Sequence, residues 1–375
     1  MYPLRPEYLL ANVAEIPSPA LVFHPALIAA NIRKAIDAAG GPDRLRPHVK
    51  THKTAEIVQM QLVAGVRKHK CATIAEAEML AAAGAPDVLV SYALIGPNVA
   101  RLVKIIEKFP GTAFSSIVDH PIQLEHLSKA LAAANRTIDV LIDLNVGMNR
   151  TGIVPGPAAD ELYAKIAASP GVRPGGIHAY DGHNNAEALA DRHAVARASL
   201  DIVLAMRDRH ERAGRPVPRI ISGGTPGFPG YAGVRDIPGL ECSPGTYVLH
   251  DLGYGSKYPD LGVVPAAVLV TRVVSRPTPN RVTLDLGNKS VAADPPLAKR
   301  VYLLDFPDYT IVMHSEEHLV VETDGADRYV PGDVVYAIPS HVCPTVALHR
   351  EALVAEYNRV VGRWTIAARD RFLSV

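Results

Sequence analysis

The stretch Arg46-Pro47-His48-Val49-Lys50-Thr51-His52-Lys53 decides how the rest of the chain is read. Taken as a strand, its period of two sets Leu45, Pro47 and Val49 on one face and Arg46, His48 and Lys50 on the other. Basic side chains gathered on one face of an apolar segment must point at something. A lysine at the end of such a strand, desolvated and beside other cations, is driven toward the neutral amine that a Schiff base requires. A solvent-facing basic patch on an edge strand would carry the same residues, and this stretch alone does not choose between the two.

Outward from it, apolar runs alternate with helix-like segments from about residue 17 to 250. Arg46–Lys50 reads as the first inner strand, followed by Val66–Cys71, Val88–Ser91, Ala113–Val118, Ile138–Leu144, Gly175–Tyr180, Arg219–Ser222 and Leu240–Cys242. Helical patterns separate them, the longest over Ala186–Ala213. This count and size predict a (β/α)8 TIM-type barrel over residues 17–250. A doubly wound open sheet is the alternative, weakened because no Gly-x-Gly-x-x-Gly stands between a strand and a helix. Beyond residue 250 the chain is β-branched and punctuated by Pro, Gly, Asn and Asp. That predicts a C-terminal, mostly antiparallel β domain over 251–375, with residues 1–16 as candidates to join it.

The 375 residues suffice for one large and one smaller domain. Lys and Arg total 39 against 38 Asp and Glu, a formal charge of +1, so neither nucleic acid nor an anionic membrane is expected as partner. Cys71, Cys242 and Cys343 lie too far apart for a disulfide framework and suit a reducing compartment. No signal-peptide pattern and no long apolar run is seen, so a cytoplasmic location is expected.

In such barrels, chemistry sits at the C-terminal ends of the strands. There the sequence places Lys50, Thr51 and His52; Thr73; Tyr92; Asp143, Asn145, Asn149 and Arg150; His178, Tyr180 and His183; Ser222-Gly223-Gly224-Thr225; and Ser243 through Gly245-Thr246-Tyr247. The glycine runs after strands seven and eight have what a phosphate cradle requires, approachable backbone N–H groups and nearby hydroxyls. A lone Gly-Gly-Thr is more often a plain turn; its position raises the functional reading. Arg150 is either a surface arginine paired with Asp143 or a guanidinium facing a cofactor ring or substrate carboxylate. His341 and Cys343, two apart on an extended run, would point the same way and form a soft pair suited to zinc. Spacing alone favours a satisfied histidine beside a small buried thiol.

With these pieces in place, the chain resembles the fold-type III pyridoxal-phosphate enzymes, the alanine racemase-like barrels, and within them the D-threonine aldolase and D-serine dehydratase branch. The resemblance rests on Arg46-Pro-His-Val-Lys-Thr-His-Lys53, Asp143-Leu-Asn-Val-Gly-Met-Asn-Arg-Thr-Gly152, Gly223-Gly-Thr225, Gly245-Thr-Tyr247 and His341-x-Cys343, in that order over nearly the whole length. It implies that Lys50 carries the cofactor and that Ser222, Gly223, Gly224, Thr225, Gly245, Thr246 and Tyr247 hold its phosphate. Arg150 would lie by the pyridine ring, with Tyr180 lining the pocket. His341 and Cys343 would bind a divalent metal, zinc favoured by the His-x-Cys pair and manganese or magnesium as alternatives. A homodimer and a small D-amino acid substrate are implied as well. His-x-Cys favours a dehydratase, whereas Met148-Asn-Arg-Thr-Gly152 and Pro344-Thr-Val346 resemble the aldolases. The expected reaction is therefore cleavage of a D-3-hydroxy amino acid to glycine and an aldehyde, with His52 or His183 as base. Dehydration to a keto acid and ammonia is the alternative, and a non-catalytic cofactor carrier or an amino-acid racemase follow behind.

Overall fold

In the computed structural model, which describes residues 4–375, the first strand is β1 (Ala20–Phe23). The strands β2 (Lys68–Cys71), β3 (Asp87–Val90), β4 (Ala113–Val118), β5 (Ile138–Asp143), β6 (Val172–Ala179), β7 (Ile220–Ser222) and β8 (Leu240–Cys242) follow in one parallel sheet, each paired with the next. The deciding stretch closes the ring. Leu45 bridges Cys242 and His48 bridges Lys70, both in parallel. The Arg46 N–H donates to the Cys242 carbonyl, and Lys70 N–H to that of Pro47. Residues 45–48 thus act as the eighth stave of the expected barrel. This stave is shorter than Arg46–Lys50 because Pro47 offers no N–H and Val49–Thr51 turns into one 3-10 turn.

Leu89, Ile117, Leu141 and Ile221 meet in a cluster inside the ring. Register extends that inward face. Lys70 is opposite Leu89, and Asp143 is opposite His178, which is opposite Ile221. Paired residues in a parallel sheet share a face, so Lys70, Asp143 and His178 project into the lumen. The helices covering the outside bury stripes such as Val99, Leu102 and Ile105.

The remaining strands are β9 (Ala267–Thr278), β10 (Arg281–Leu284), β11 (Val301–Leu303), β12 (Thr310–His314), β13 (Leu319–Glu322), β14 (Val334–Pro339), β15 (Glu351–Glu356) and β16 (Arg359–Thr365). Their sheet runs β12-β13-β10-β9-β1-β15-β16, with β14 on β9 and β11 on β14. All pairings among them are antiparallel except β1 with β15. Tyr8, Leu10 and Ile16 pack with Val22, Val268 and Ile338 in the core of this sheet.

The chain divides into a β unit and a barrel unit. The β unit holds the N-terminal residues through Ile32, Thr51–Thr54 and Thr246–Arg369; the barrel unit holds Arg33–Lys50, Ala55–Gly245 and Asp370–Val375. The boundary at 17 is therefore corrected: β1 hydrogen-bonds between β9 and β15 and belongs with the β sheet. Four consecutive buried apolar residues are compatible with either sheet, and only pairing decides. Residues 4–16 join the β unit as their sequence allowed, while residues 1–3 lie outside the described part. The C-terminal tail belongs with the barrel unit, where the Arg101 guanidinium reaches the Val375 and Arg371 carbonyls.

Candidate active site

In the barrel unit, Lys50 follows directly on the closing stave, its N–H donating to His48 Nδ1 at 3.2 Å. Its Nζ stands 5.9 Å from the centroid of the Tyr180 ring, and the Arg150 guanidinium carbon stands 4.9 Å from the same centroid. Two cations thus flank one aromatic ring just past β6, an arrangement the ring quadrupole favours. Tyr180 is pinned by its neighbours: a Cβ added at Gly182 would fall 2.3 Å from its Cε1. Asp143 is held not by Arg150 but by His178, Nδ1 to Oδ1 at 2.6 Å. The surface-pair reading of Arg150 is thereby replaced. His183 belongs to the same loop, its ring against Gly147 and its Nδ1 buried without a partner among the described residues.

The glycine loops are more self-contained than their sequence suggests. Gly223, at φ +85°, sits where a Cβ would press 2.7 Å from the Tyr231 ring. The Gly224 N–H donates to Asp181 Oδ1 at 3.1 Å, and the Gly245 N–H to Thr225 Oγ1 at 3.1 Å. These two N–H groups tie the loops to Asp181 and Thr225. Asp181 is itself buried, which raises its pKa, against the opposing bonds from Asn184 and Gly224. Ser222 Oγ, by contrast, is buried with no partner among the described residues. An orphaned hydroxyl beside a glycine turn fits an acceptor supplied from outside.

The lumen holds a lysine that sequence reasoning passed over. Lys70 is 3 % exposed, and its Nζ lies 3.4 Å from His178 Nε2. Burial first, and the Lys50 charge second, push its pKa down to about 7 against the pull of Asp143. Burial likewise lowers His178, with Asp143 opposing and Lys70 adding to the fall. The signal was present: in Lys68-His69-Lys70-Cys71 the alternation that sends Leu89 inward also sends Lys70 inward.

The β unit holds the other expected residues. His52 is fully buried and its Nδ1 accepts from the Thr54 N–H at 3.2 Å. Thr246 and Tyr247 are buried in a 3-10 turn. The pair His341 and Cys343 does meet, yet not along a strand. β14 ends at Pro339, His341 is the N-cap of the helix Val342–Leu348, and Cys343 sits in its first turn. Pro344 explains this, since proline is tolerated in a first helical turn and not in a continuing inner strand. Asp251 fixes the helix start by accepting from the Val342 N–H at 3.0 Å. The bond to Cys343 first, and then that to Asp294, hold the His341 pKa up at about 9 against burial. His341 Nδ1 lies 2.6 Å from Asp294 Oδ2, and Cys343 Sγ lies 3.2 Å from Thr51 Oγ1. Among the described residues no group of three metal-ligating side chains gathers. A thiol and an imidazole oriented by a carboxylate nonetheless fit two ligands of an open zinc-type site.

With that geometry established, comparison gives the lineage. A family model of the alanine racemase N-terminal domain matches residues 24–246, and one of a putative serine dehydratase domain matches residues 266–355. The chain belongs to this fold-type III family. Its relatives are pyridoxal-phosphate-dependent lyases. A D-threonine aldolase of an Arthrobacter species is 32 % identical over 366 residues, spanning 95 % of this chain and 94 % of that protein. A D-threo-3-hydroxyaspartate dehydratase of a Delftia species is 24 % identical over 353 residues, spanning 85 % and 88 %. The crystal structure of D-threonine aldolase from Filomicrobium marinum superposes with a TM-score of 0.86 at 28 % identity, covering 98 % of this chain and 99 % of that one. No helix among the described residues is long and apolar enough to cross a membrane.

Proposed function

We propose that the protein is a pyridoxal-phosphate- and divalent-metal-dependent lyase that cleaves D-3-hydroxy amino acids into glycine and an aldehyde. The observation that carries this reading is full-length similarity to a D-threonine aldolase, together with a lysine and an arginine flanking Tyr180 at the strand ends. Bound pyridoxal phosphate supplies the electron sink for the pair released when Cα–Cβ breaks. Lys50 supplies the primary amine that holds it. Ser222, with its unpartnered hydroxyl, and Gly223, Gly224, Thr225, Gly245, Thr246 and Tyr247 form the segments assigned to the phosphate, the Gly224 and Gly245 N–H groups shaping the loops. Tyr180 and Arg150 line and orient the ring. His341 and Cys343 would hold the divalent ion, zinc by the softness of the donors, which lends Lewis acidity toward a substrate hydroxyl.

The base that takes the hydroxyl proton is assigned to His183, whose Nδ1 has no partner among the described residues. His52, the other candidate, is fully enclosed and engaged with its own turn. A second reading, dehydration to a keto acid and ammonia, is favoured by the His-x-Cys pair and the dehydratase-like match over 266–355. A homodimer in the cytoplasm completes the proposal, consistent with the wide spacing of Cys71, Cys242 and Cys343 in the sequence. Purified holoenzyme incubated with D-threonine and D-serine, with and without a chelator, tests it. Acetaldehyde from D-threonine that disappears with the chelator supports the aldolase; pyruvate from D-serine without any aldehyde establishes the dehydratase instead.

A further inference from the structure

A fully enclosed lysine is costly unless it is partnered, and an apolar residue of like volume is usually as stable or more so. The cation at Lys70 has no carboxylate in direct contact among the described residues; its neighbour is the ring of His178, backed by Asp143. The geometry constrains the protons. Asp143 accepts from His178 Nδ1–H, which leaves Nε2 either to accept from the Lys70 ammonium or, once protonated, to donate to the Lys70 amine. Passing one proton from Nζ to Nε2 converts ammonium, neutral imidazole and carboxylate into amine, imidazolium and carboxylate. The sum is zero before and after, so the transfer moves charge across the lumen without changing its total.

We propose that Lys70, His178 and Asp143 form a single-proton relay inside the barrel, in which Lys70 is the positioning residue that fixes the His178 tautomer and exchanges one proton with it. The inference rests on the reading of Lys50 as the reactive amine. Its use follows from charge. Lys50 is the cation coupled most strongly to Lys70, with Arg46 further off and the carboxylates of Asp143 and Asp181 opposing. His178 in turn faces Asp143, Lys70 and Arg150. When substrate releases the Lys50 amine and that amine takes up a proton, the relay lets Lys70 give up its own charge to the ring beyond. A lysine buried to about neutrality suits such an exchange, while an arginine, which never deprotonates, does not.

The test uses full-length Lys70→Met and Lys70→Arg proteins, with and without pyridoxal phosphate. Histidines are labelled for NMR, and His178 is assigned by its loss in His178→Gln. In wild type the His178 ring is expected to titrate below its usual range, lowered first by burial. In Lys70→Met its midpoint is expected to rise by about one pH unit or more, and in Lys70→Arg to stay low. The pH profile of turnover should lose its near-neutral inflection in both variants. Borohydride reduction followed by peptide mapping separates the two levels of the argument. A cofactor label on Lys50 with an unmoved His178 midpoint in Lys70→Met overturns the relay alone. A label on Lys70 overturns the Lys50 reading and the relay with it. A label on Lys50 with the shifted midpoint supports both.

Discussion

Two levels of the same barrel lumen solve the burial of basic side chains in opposite ways. At the lower level Arg46 is fully enclosed, but its guanidinium grips Asp87 with two bonds of 2.7 and 2.8 Å and reaches Glu241 at 2.5 Å. Lys68 meets the other oxygen of Glu241 at 2.9 Å, and Arg219 meets Asp139 at 2.7 Å. Each of these cations has a carboxylate in contact, and Arg46 has the bidentate geometry that makes a buried arginine tolerable. Lys70, two residues beyond Lys68 on β2, and Lys50, in the turn after the closing stave, have no such carboxylate contact among the described residues, and Arg150 rests on a tyrosine ring instead. Balanced charge marks the structural layer, and surplus charge marks the layer to which the proposed chemistry is assigned. Arg46, His48 and Lys50 share a face in the sequence, yet they serve both purposes.

The contrast breaks most sharply at Lys50. Replacing it with Ala should cost at least about a thousandfold in turnover, roughly 4 kcal/mol of barrier, and abolish the visible cofactor band. Thermal unfolding of the apoprotein should stay within about 1 kcal/mol of wild type, because the side chain is only partly buried. Arg46→Met should do the reverse. It removes the bidentate partner of Asp87 and leaves Glu241 with Lys68 alone, and denaturant titration should show a loss of about 3–5 kcal/mol with little change in turnover per folded molecule.

Lys70→Met tests the upper level through stability. A lysine whose folded pKa is depressed carries its full penalty at low pH, and the penalty fades as pH rises from about 7 toward the ordinary value near 10.5. Over that window the unfolded chain binds the extra proton, so wild-type stability rises with pH. The methionine variant should therefore exceed wild type by about 2–4 kcal/mol at pH 6 and much less at pH 10, as measured by urea titration at both values. Equal stability at both pH values would place Lys70 with the balanced layer. The smallest effect is expected at Asp294, which reaches the proposed metal ligands through His341. Asp294→Ala should weaken zinc affinity by roughly 10- to 100-fold in a competition titration, leaving the fold intact.

Much of this was legible in advance. Ala113–Val118 and Leu240–Cys242 become strands with the bounds their apolar runs predict, and the ring closes at the stretch that carries Lys50. Local patterns sufficed there because buried parallel strands are short apolar runs whose neighbours are fixed by chain order. Local pattern falls short where a residue's role depends on a distant partner. Ala20–Phe23 reads as a strand in any sheet, and its place beside β9 and β15 is a matter of long-range pairing. Gly224 and Gly245 read as a glycine cradle, and only the tertiary structure shows their N–H groups donating to Asp181 and Thr225.

The amino-acid sequence by itself determined the order of elements, the alternation of Arg46 and His48 along the closing stave, and the set of polar residues at the strand ends. Those follow from periodicity and chain connectivity, which are local properties. Tertiary structure alone decided which buried cations meet a carboxylate and which do not. Charge compensation is set by distances of a few ångströms between residues far apart in the chain, such as Arg46 and Glu241 or Lys70 and His178.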